Sequence, residues 1–200
     1  MLSSGRLVVI SGPSGAGKST LVRELLKSTD LPLEISVSAT TRAPRTGEID
    51  GVHYHFLSPE QFASLKKQGA FLECKEVFGR GDWYGTLRGP VASGLQAGKW
   101  VILEIDVEGA MAVFSQFPEA ISIFIHPGTT EELERRLRGR KTETESSIQR
   151  RLEVAGRELT FVDRYRHQIV NDSAKRAIQE ILELLNRYRD RSPESPVSSS

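Results

Sequence analysis

LVVISGPSGAGKSTLVRELL, residues Leu7 to Leu26, carries the pattern G-x-x-x-x-G-K-[ST] at Gly12 to Ser19. An apolar run, Leu7-Val8-Val9-Ile10, comes before it, and Leu21, Val22, Leu25 and Leu26 follow at helical spacing. A glycine-rich loop between a strand and a helix is the setting in which this pattern binds phosphates. Gly12, Gly15 and Gly17, with Pro13, Ser14 and Ala16 between them, let the backbone come close to a ligand and turn N–H groups inward as an anion nest. The helix that starts near Lys18 adds the positive end of its dipole. Lys18 is expected at the β/γ-phosphates of a nucleoside polyphosphate and Ser19 at a Mg²⁺ ion, with Thr20 beside them.

Outward from this loop, the apolar runs Leu7–Ile10, Val101–Ile105 and Ile121–Ile125 read as buried parallel strands, with a weaker fourth at Ile169-Val170. Helical patterns lie between and after them. Leu133 and Leu137 stand at i, i+4. Ile148, Leu152, Ala155 and Leu159 follow the same spacing, as do Ile178, Ile181, Leu182, Leu185 and Tyr188. The alternation predicts an α/β fold with a doubly wound parallel sheet flanked by helices. Residues 35–95 break the pattern. Ile35–Ser38 and Val52–Phe56 alternate like half-exposed strands, with Pro44, Gly47, Asp50 and Gly51 between them. Ser58-Pro59-Glu60-Gln61 predicts a capped helix start, with Leu57 stapled against Phe62. This region reads as a small inserted subdomain. Residues 192–200 have little to bury and are expected to be disordered.

The charges nearly cancel, 27 basic against 26 acidic. That balance argues against nucleic acid or a membrane surface as partner. No stretch approaches the ~20 apolar residues of a membrane span, and the first residues lack the pattern of a signal peptide. The single cysteine, Cys74, forms no internal disulfide and reads as a packing residue. A cytoplasmic protein is expected, as monomer or homo-oligomer. His53, His55, His126 and His167 show no metal-ligand spacing.

A second ligand signal follows at Ser38-Ala39-Thr40-Thr41-Arg42-Ala43-Pro44-Arg45. Either arginine alone reads as a solvated charge. Together, across a stiffening proline, they can converge on one phosphate through forked hydrogen bonds, with Tyr54 and Tyr84 adding phenolic donors.

At this point the chain resembles the guanylate kinase family. The resemblance rests on SATTRAPRTGEIDGVHY, then FLE, WYGT, LEIDVEGA and GRKTETESSIQRRL in family order, and runs from about Arg6 to about Arg189. It implies one domain over 1–200, transferring the γ-phosphoryl group of ATP to GMP with Mg²⁺. The core would comprise 5–34, 96–126 and 156–190, the GMP-binding subdomain 35–95, and a mobile helical lid 127–155. It further implies that Arg42, Arg45, Tyr54 and Tyr84 bind the GMP phosphate and that Glu73 accepts the N1–H and N2–H₂ donors of guanine. Ser38 and Thr86 meet the other edge of the base. Asp106 serves Mg²⁺ and Glu104 faces GMP, both at the carboxyl end of a strand, where open α/β sheets bind ligands. Arg136, Arg140 and Arg151 belong to the lid and stabilise the transferring phosphoryl group. Asn171 and Asp172 meet the adenine of ATP. Arg135, Arg138 and Arg150 read as a solvated helix face. The segment Gly79–Trp83 is longer than its family counterpart, and Lys141 stands where relatives carry glycine. The attacking phosphate oxygen is already anionic, so no general base is expected.

Two rivals come from other classes. Interaction modules on this fold have degraded phosphate loops, whereas Gly12–Ser19 is intact. Kinases for a ribose bisphosphate lack the TTR-x-PR segment.

Overall fold

Strands and helices alternate from the first apolar run onward. In chain order they are β1 (Arg6–Ser11), α1 (Lys18–Lys27), β2 (Leu33–Ile35), β3 (Ala39–Thr40), β4 (His55–Phe56), α2 (Pro59–Lys67), β5 (Phe71–Val77), β6 (Asp82–Leu87) and α3 (Arg88–Gln96). There follow β7 (Trp100–Glu104), α4 (Val107–Phe114), β8 (Ile121–His126), α5 (Thr130–Arg138), α6 (Glu145–Leu159), a 3₁₀ turn at Val162–Arg164, β9 (His167–Val170) and α7 (Ala174–Asp190). The computed structural model describes residues 5–77, 81–139 and 145–190. The expectations for Arg140, Lys141, the tail from 192 and most of the segment before Asp82 lie outside the described residues.

Five strands form an all-parallel sheet in the order β2-β7-β1-β8-β9. The β1 run is apolar throughout because both faces of the sheet are covered. Val8 and Ile10 point to one side, where Leu21, Leu25, Ile181 and Leu185 of α1 and α7 pack with them. Leu7 and Val9 point to the other, with Val91 of α3, Ala110 and Val113 of α4, and Tyr165. Ile10 is fully buried, and truncating such a residue to alanine costs about 2–5 kcal/mol. The neighbours of β1 are β7 and β8, so the phosphate loop leaves β1 beside the carboxyl ends of both. This is where an α/β sheet presents ligands.

A second, mixed sheet of four strands runs β4-β3-β6-β5, with β5 and β6 antiparallel and a bulge between Phe71 and Glu73. The helix α2 covers it. The predicted capping box is present, with Ser58 and Gln61 bonding each other's backbone. Phe62 stacks on Phe71 at 4.4 Å, and Leu57 packs in the same cluster. Cys74 packs there too, half-buried, its thiol pushed up by burial.

The expected strands at Ile35–Ser38 and Val52–Phe56 differ from those observed. The first strand is Leu33–Ile35 and belongs to the parallel sheet, where Ile35 pairs with Ile102. Ser36 N–H makes the last bond to the Ile102 carbonyl at 2.9 Å, and the chain then leaves the sheet. Only His55-Phe56 forms a strand in the second stretch. Val52 is 62% exposed, with nothing to bury, and a turn bond from His53 N–H to Ile49 O at 3.0 Å holds the backbone instead. The helices α5 and α6 make their own small core of Leu133, Leu137, Ile148 and Ala155. No helix among the described residues is long and apolar enough to cross a membrane.

Candidate active site

The loop after β1 is built as its glycines require. Gly12, Gly15 and Gly17 adopt φ of 134°, 95° and 89°. A Cβ at Gly12 would lie 2.0 Å from the Ile125 carbonyl oxygen, so no other residue fits that close approach. Lys18 opens α1 and folds back over the loop, donating from Nζ to Gly12 O at 2.5 Å and Pro13 O at 3.0 Å. Burial lowers its pKa, and Arg151 pushes the same way, while Glu104, Glu158 and Asp106 oppose. An ammonium held on carbonyls amid poor solvation has much to gain from an arriving phosphate.

The loop opens into a cleft of about 800 Å³ that reaches across to the second sheet, a size suited to small-molecule ligands. Ser14, Lys18, Ser19 and Thr20 line one end and Ser38, Arg42, Arg45, Tyr54, Glu73 and Tyr84 the other, with Glu104 and Asp106 between. Thr86 is buried in β6 beside this wall. Arg42 is clasped by its surroundings. Its Nε donates to Tyr84 Oη at 3.1 Å, and its guanidinium lies over the rings of Tyr54 at 5.5 Å and Phe56 at 5.8 Å. Tyr54 and Tyr84 meet edge to face at 5.8 Å. Burial pushes the Tyr54 phenol up, keeping it a donor.

The carboxylates divide into distinct environments. Glu73 Oε1 accepts from Thr86 Oγ1 at 2.6 Å, and a Cβ on Gly109 would sit 2.9 Å from its Oε2. Burial raises the Glu73 pKa, the Thr86 bond opposes, and the charge of Asp106 raises it further. Ser19 Oγ donates to Glu104 Oε1 at 2.5 Å. Asp106 stands apart from Ser19 in its bonding. Its Oδ1 caps α4 through Gly109 N–H at 2.9 Å, and its Oδ2 pairs with Lys75 Nζ at 2.7 Å. The bonding thus pairs Ser19 with Glu104, while Asp106, expected at Mg²⁺, lines the same cleft two residues further on.

The helical arginines contact the loop directly. Arg136 Nη2 donates to Asn171 O at 2.6 Å and its Nη1 to Ala16 O at 3.5 Å. Asn171, buried, donates from Nδ2 to the same Ala16 carbonyl at 2.7 Å. Arg151 Nη2 donates to Ser14 Oγ at 2.5 Å. Asp172 is exposed and pairs with Arg176. Arg135 and Arg138 are occupied by Glu132, Glu134 and Glu145, as a solvated face requires. Arg150, also expected on that face, is exposed and lines the cleft, as does Arg157.

Sequence reading missed Glu48, Lys75 and Glu158. Glu48 holds Arg42, and Lys75 bridges Asp106 and Glu108. Glu158 comes from α6, and its buried Oε2 has no partner among the described residues. Burial raises its pKa, while Lys18 and the Ser14 N–H pull it down. Each of these contacts joins segments distant in the chain or depends on turn geometry, so only proximity to a motif hinted at Glu48. Among the described residues no group of three or more His, Cys, Asp or Glu side chains can hold a metal ion. The Ser19 hydroxyl and Glu104 carboxylate supply hard oxygen ligands, too few for a cage. That set fits a cation which keeps its waters and arrives with a phosphate ligand.

A guanylate kinase family profile matches residues 4–188. A guanylate kinase of Rhodopirellula baltica is 57% identical over 190 residues, covering 94% of this chain and 91% of that protein. One of Trichormus variabilis is 50% identical over 179 residues, covering 90% and 88%. The crystal structure of guanylate kinase from Anaplasma phagocytophilum matches with a TM-score of 0.77 at 32% identity, over 95% of this chain and 89% of that one. Sequence and fold agree across nearly the whole length, and the chain belongs to the guanylate kinase family.

Proposed function

We propose that this protein transfers the γ-phosphoryl group of ATP to GMP, giving ADP and GDP, in purine nucleotide metabolism. The observation that carries the reading is the single cleft with a phosphate loop at one end and the Arg42–Tyr54–Tyr84 cluster with Glu73 at the other. Such a cleft sets two nucleotides phosphate to phosphate. An oxygen of the GMP phosphate forms the new bond to the γ-phosphorus as the bond to the β,γ-bridging oxygen breaks. The nucleophile carries its own charge, so the protein supplies position and countercharge rather than a base.

In this reading Gly12–Thr20 and Lys18 hold the ATP phosphates, and Asn171 and Asp172 flank the adenine. Arg42, Arg45, Tyr54 and Tyr84 take the GMP phosphate. Glu73 accepts the guanine donors, with Ser38 and Thr86 on the other edge. Adenine lacks the N1–H donor and would leave the half-buried Glu73 carboxylate with only its Thr86 bond, which is how a polar site rejects a wrong base. Ser19 with Glu104 would hold Mg²⁺, which supplies charge neutralisation between the phosphates. Asp106, bonded to Lys75 in this structure, would serve the same Mg²⁺ or its water shell. Arg136, Arg140 and Arg151 would stabilise charge on the transferring group as α5 and α6 close over it. The single Cys74 fits a reducing, cytoplasmic setting.

The test is a coupled ADP-release assay comparing GMP, dGMP, AMP, CMP and UMP at fixed ATP and Mg²⁺. Turnover confined to guanine nucleotides is the expected result. Equal turnover with AMP would sink the base assignment, and no GMP-dependent release would sink the activity.

A further inference from the structure

Arg42 is the most heavily engaged cation of the cleft. Besides the Tyr84 bond, its Nη1 donates to Ala43 O at 2.7 Å and its Nη2 to both Glu48 carboxylate oxygens at 2.9 Å. All three guanidinium nitrogens therefore have acceptors before any substrate arrives. The backbone N–H of Arg45 donates to the same Glu48 Oε2 at 2.7 Å. One carboxylate thus gathers donors from both members of the arginine pair. The contact is shielded, with the Arg42 and Glu48 side chains only 13% and 18% exposed.

We propose that Glu48 is a built-in occupant of the monophosphate subsite, holding the Arg42 guanidinium and the Arg45 backbone N–H until the nucleotide phosphate displaces it and so setting GMP affinity. The proposal deepens the GMP-kinase reading and rests on it. A forked contact from Arg42 to phosphate needs two parallel N–H bonds. Offering them means giving up Glu48 or Tyr84, and Tyr84 is itself a donor suited to phosphate. A phosphate dianion with three oxygens outcompetes a carboxylate with one charge and two oxygens. A guanosine without phosphate has no anion to make the exchange. Glu48 also spares the empty site an unpaired, desolvated guanidinium. The turn is open on the Gly47 side, where φ is +84° and an added Cβ meets nothing within 4 Å.

The alternative is a permanent strut that orients Arg42, and it predicts the opposite sign. Glu48→Gln and Glu48→Ala, each checked for an unchanged melting profile, are titrated calorimetrically with GMP and with guanosine. Displacement predicts GMP binding tighter by roughly 3- to 10-fold in the variants, with guanosine unchanged. Unaltered or weaker GMP binding overturns the proposal, as does an equal gain for guanosine. A second measurement needs no variant. In a crystal structure of the wild-type GMP complex, Glu48 should stand beyond hydrogen-bond reach of Arg42; a bidentate pair that persists overturns the exchange. A wild-type protein that binds no GMP at all refutes the activity reading instead.

Discussion

Glu73 illustrates how much of this site depends on single groups. Its Oε1 is bonded to Thr86 and its Oε2 packs on Gly109, in surroundings that disfavour its charge. Glu73→Ala is therefore expected to raise KM for GMP and to reduce the preference for GMP over AMP by about 10²-fold or more. Steady-state kinetics with both nucleotides decides it, and an unchanged preference removes Glu73 from base recognition. Lys18 acts at the other end of the cleft. Its ammonium, parked on Gly12 O and Pro13 O, makes no carboxylate bond among the described residues and can follow the phosphate. Lys18→Ala is expected to lower kcat by about 10²–10³-fold, the scale of one lost electrostatic contact to a reacting oxygen. Near-normal turnover would contradict the loop assignment.

The α2 helix offers a separable test, since it supports the second sheet without touching the cleft. Ser58 Oγ accepts from Gln61 N–H at 3.2 Å, and Gln61 Oε1 accepts from Ser58 N–H at 2.8 Å. Ser58→Ala should cost about 1 kcal/mol in urea denaturation and leave kcat unchanged. A loss of activity at full stability would mean that α2 reports to the site. Such caps, and the runs at Leu7–Ile10 and Ile121–Ile125, were legible in the chain because their signals are local: a spacing of three, or unbroken burial on both faces. The β5–β6 hairpin was not, because Glu73, Lys75, Glu76 and Asp82 face a cleft or solvent and erase the apolar alternation. Nor was α4, whose eight residues are too short for a clear period. The loop motif and the arginine pair announced themselves by residue type and spacing. Their partners did not: Ser19 meets Glu104 across 85 positions, and Lys75 meets Asp106 only because β5 lies against α4.

Taken whole, the molecule sets its phosphate loop in a rigid parallel sheet, while α5 and α6 rest on a core of their own. An ion pair adds to that apolar contact between the two helices. Arg138 bonds Glu145 at 2.6 and 2.7 Å, and this partner holds the Glu145 carboxyl down at about 2. A carboxylate depressed by folding stabilises above its unfolded pKa of about 4.3 and loses that contribution as pH falls toward the folded value. The difference in melting temperature between wild type and Arg138→Ala should therefore shrink as pH drops from about 6 to about 2.5. Because the pair is exposed, it should also shrink in about 1 M salt. A difference indifferent to both would show that Arg138 acts by packing. Arg136 lies on the same helix but turns inward, tying α5 to Ala16 O and Asn171 O, the carbonyls that frame the loop. Its Nε already pairs with Glu132 Oε1 at 2.7 Å, but Nη1 and Nη2 rest on neutral carbonyls, whereas a γ-phosphoryl group in flight is anionic and binds a guanidinium far more strongly. Those two nitrogens thus have more to gain in the transition state than at rest, and the bonds of Arg136 run to Glu132, Ala16 and Asn171 rather than to the Arg42 cluster. Arg136→Ala should reduce kcat by about 10²-fold or more while KM for GMP changes little. The reverse split, intact kcat with weakened GMP binding, would place Arg136 on the acceptor rather than on the group being transferred.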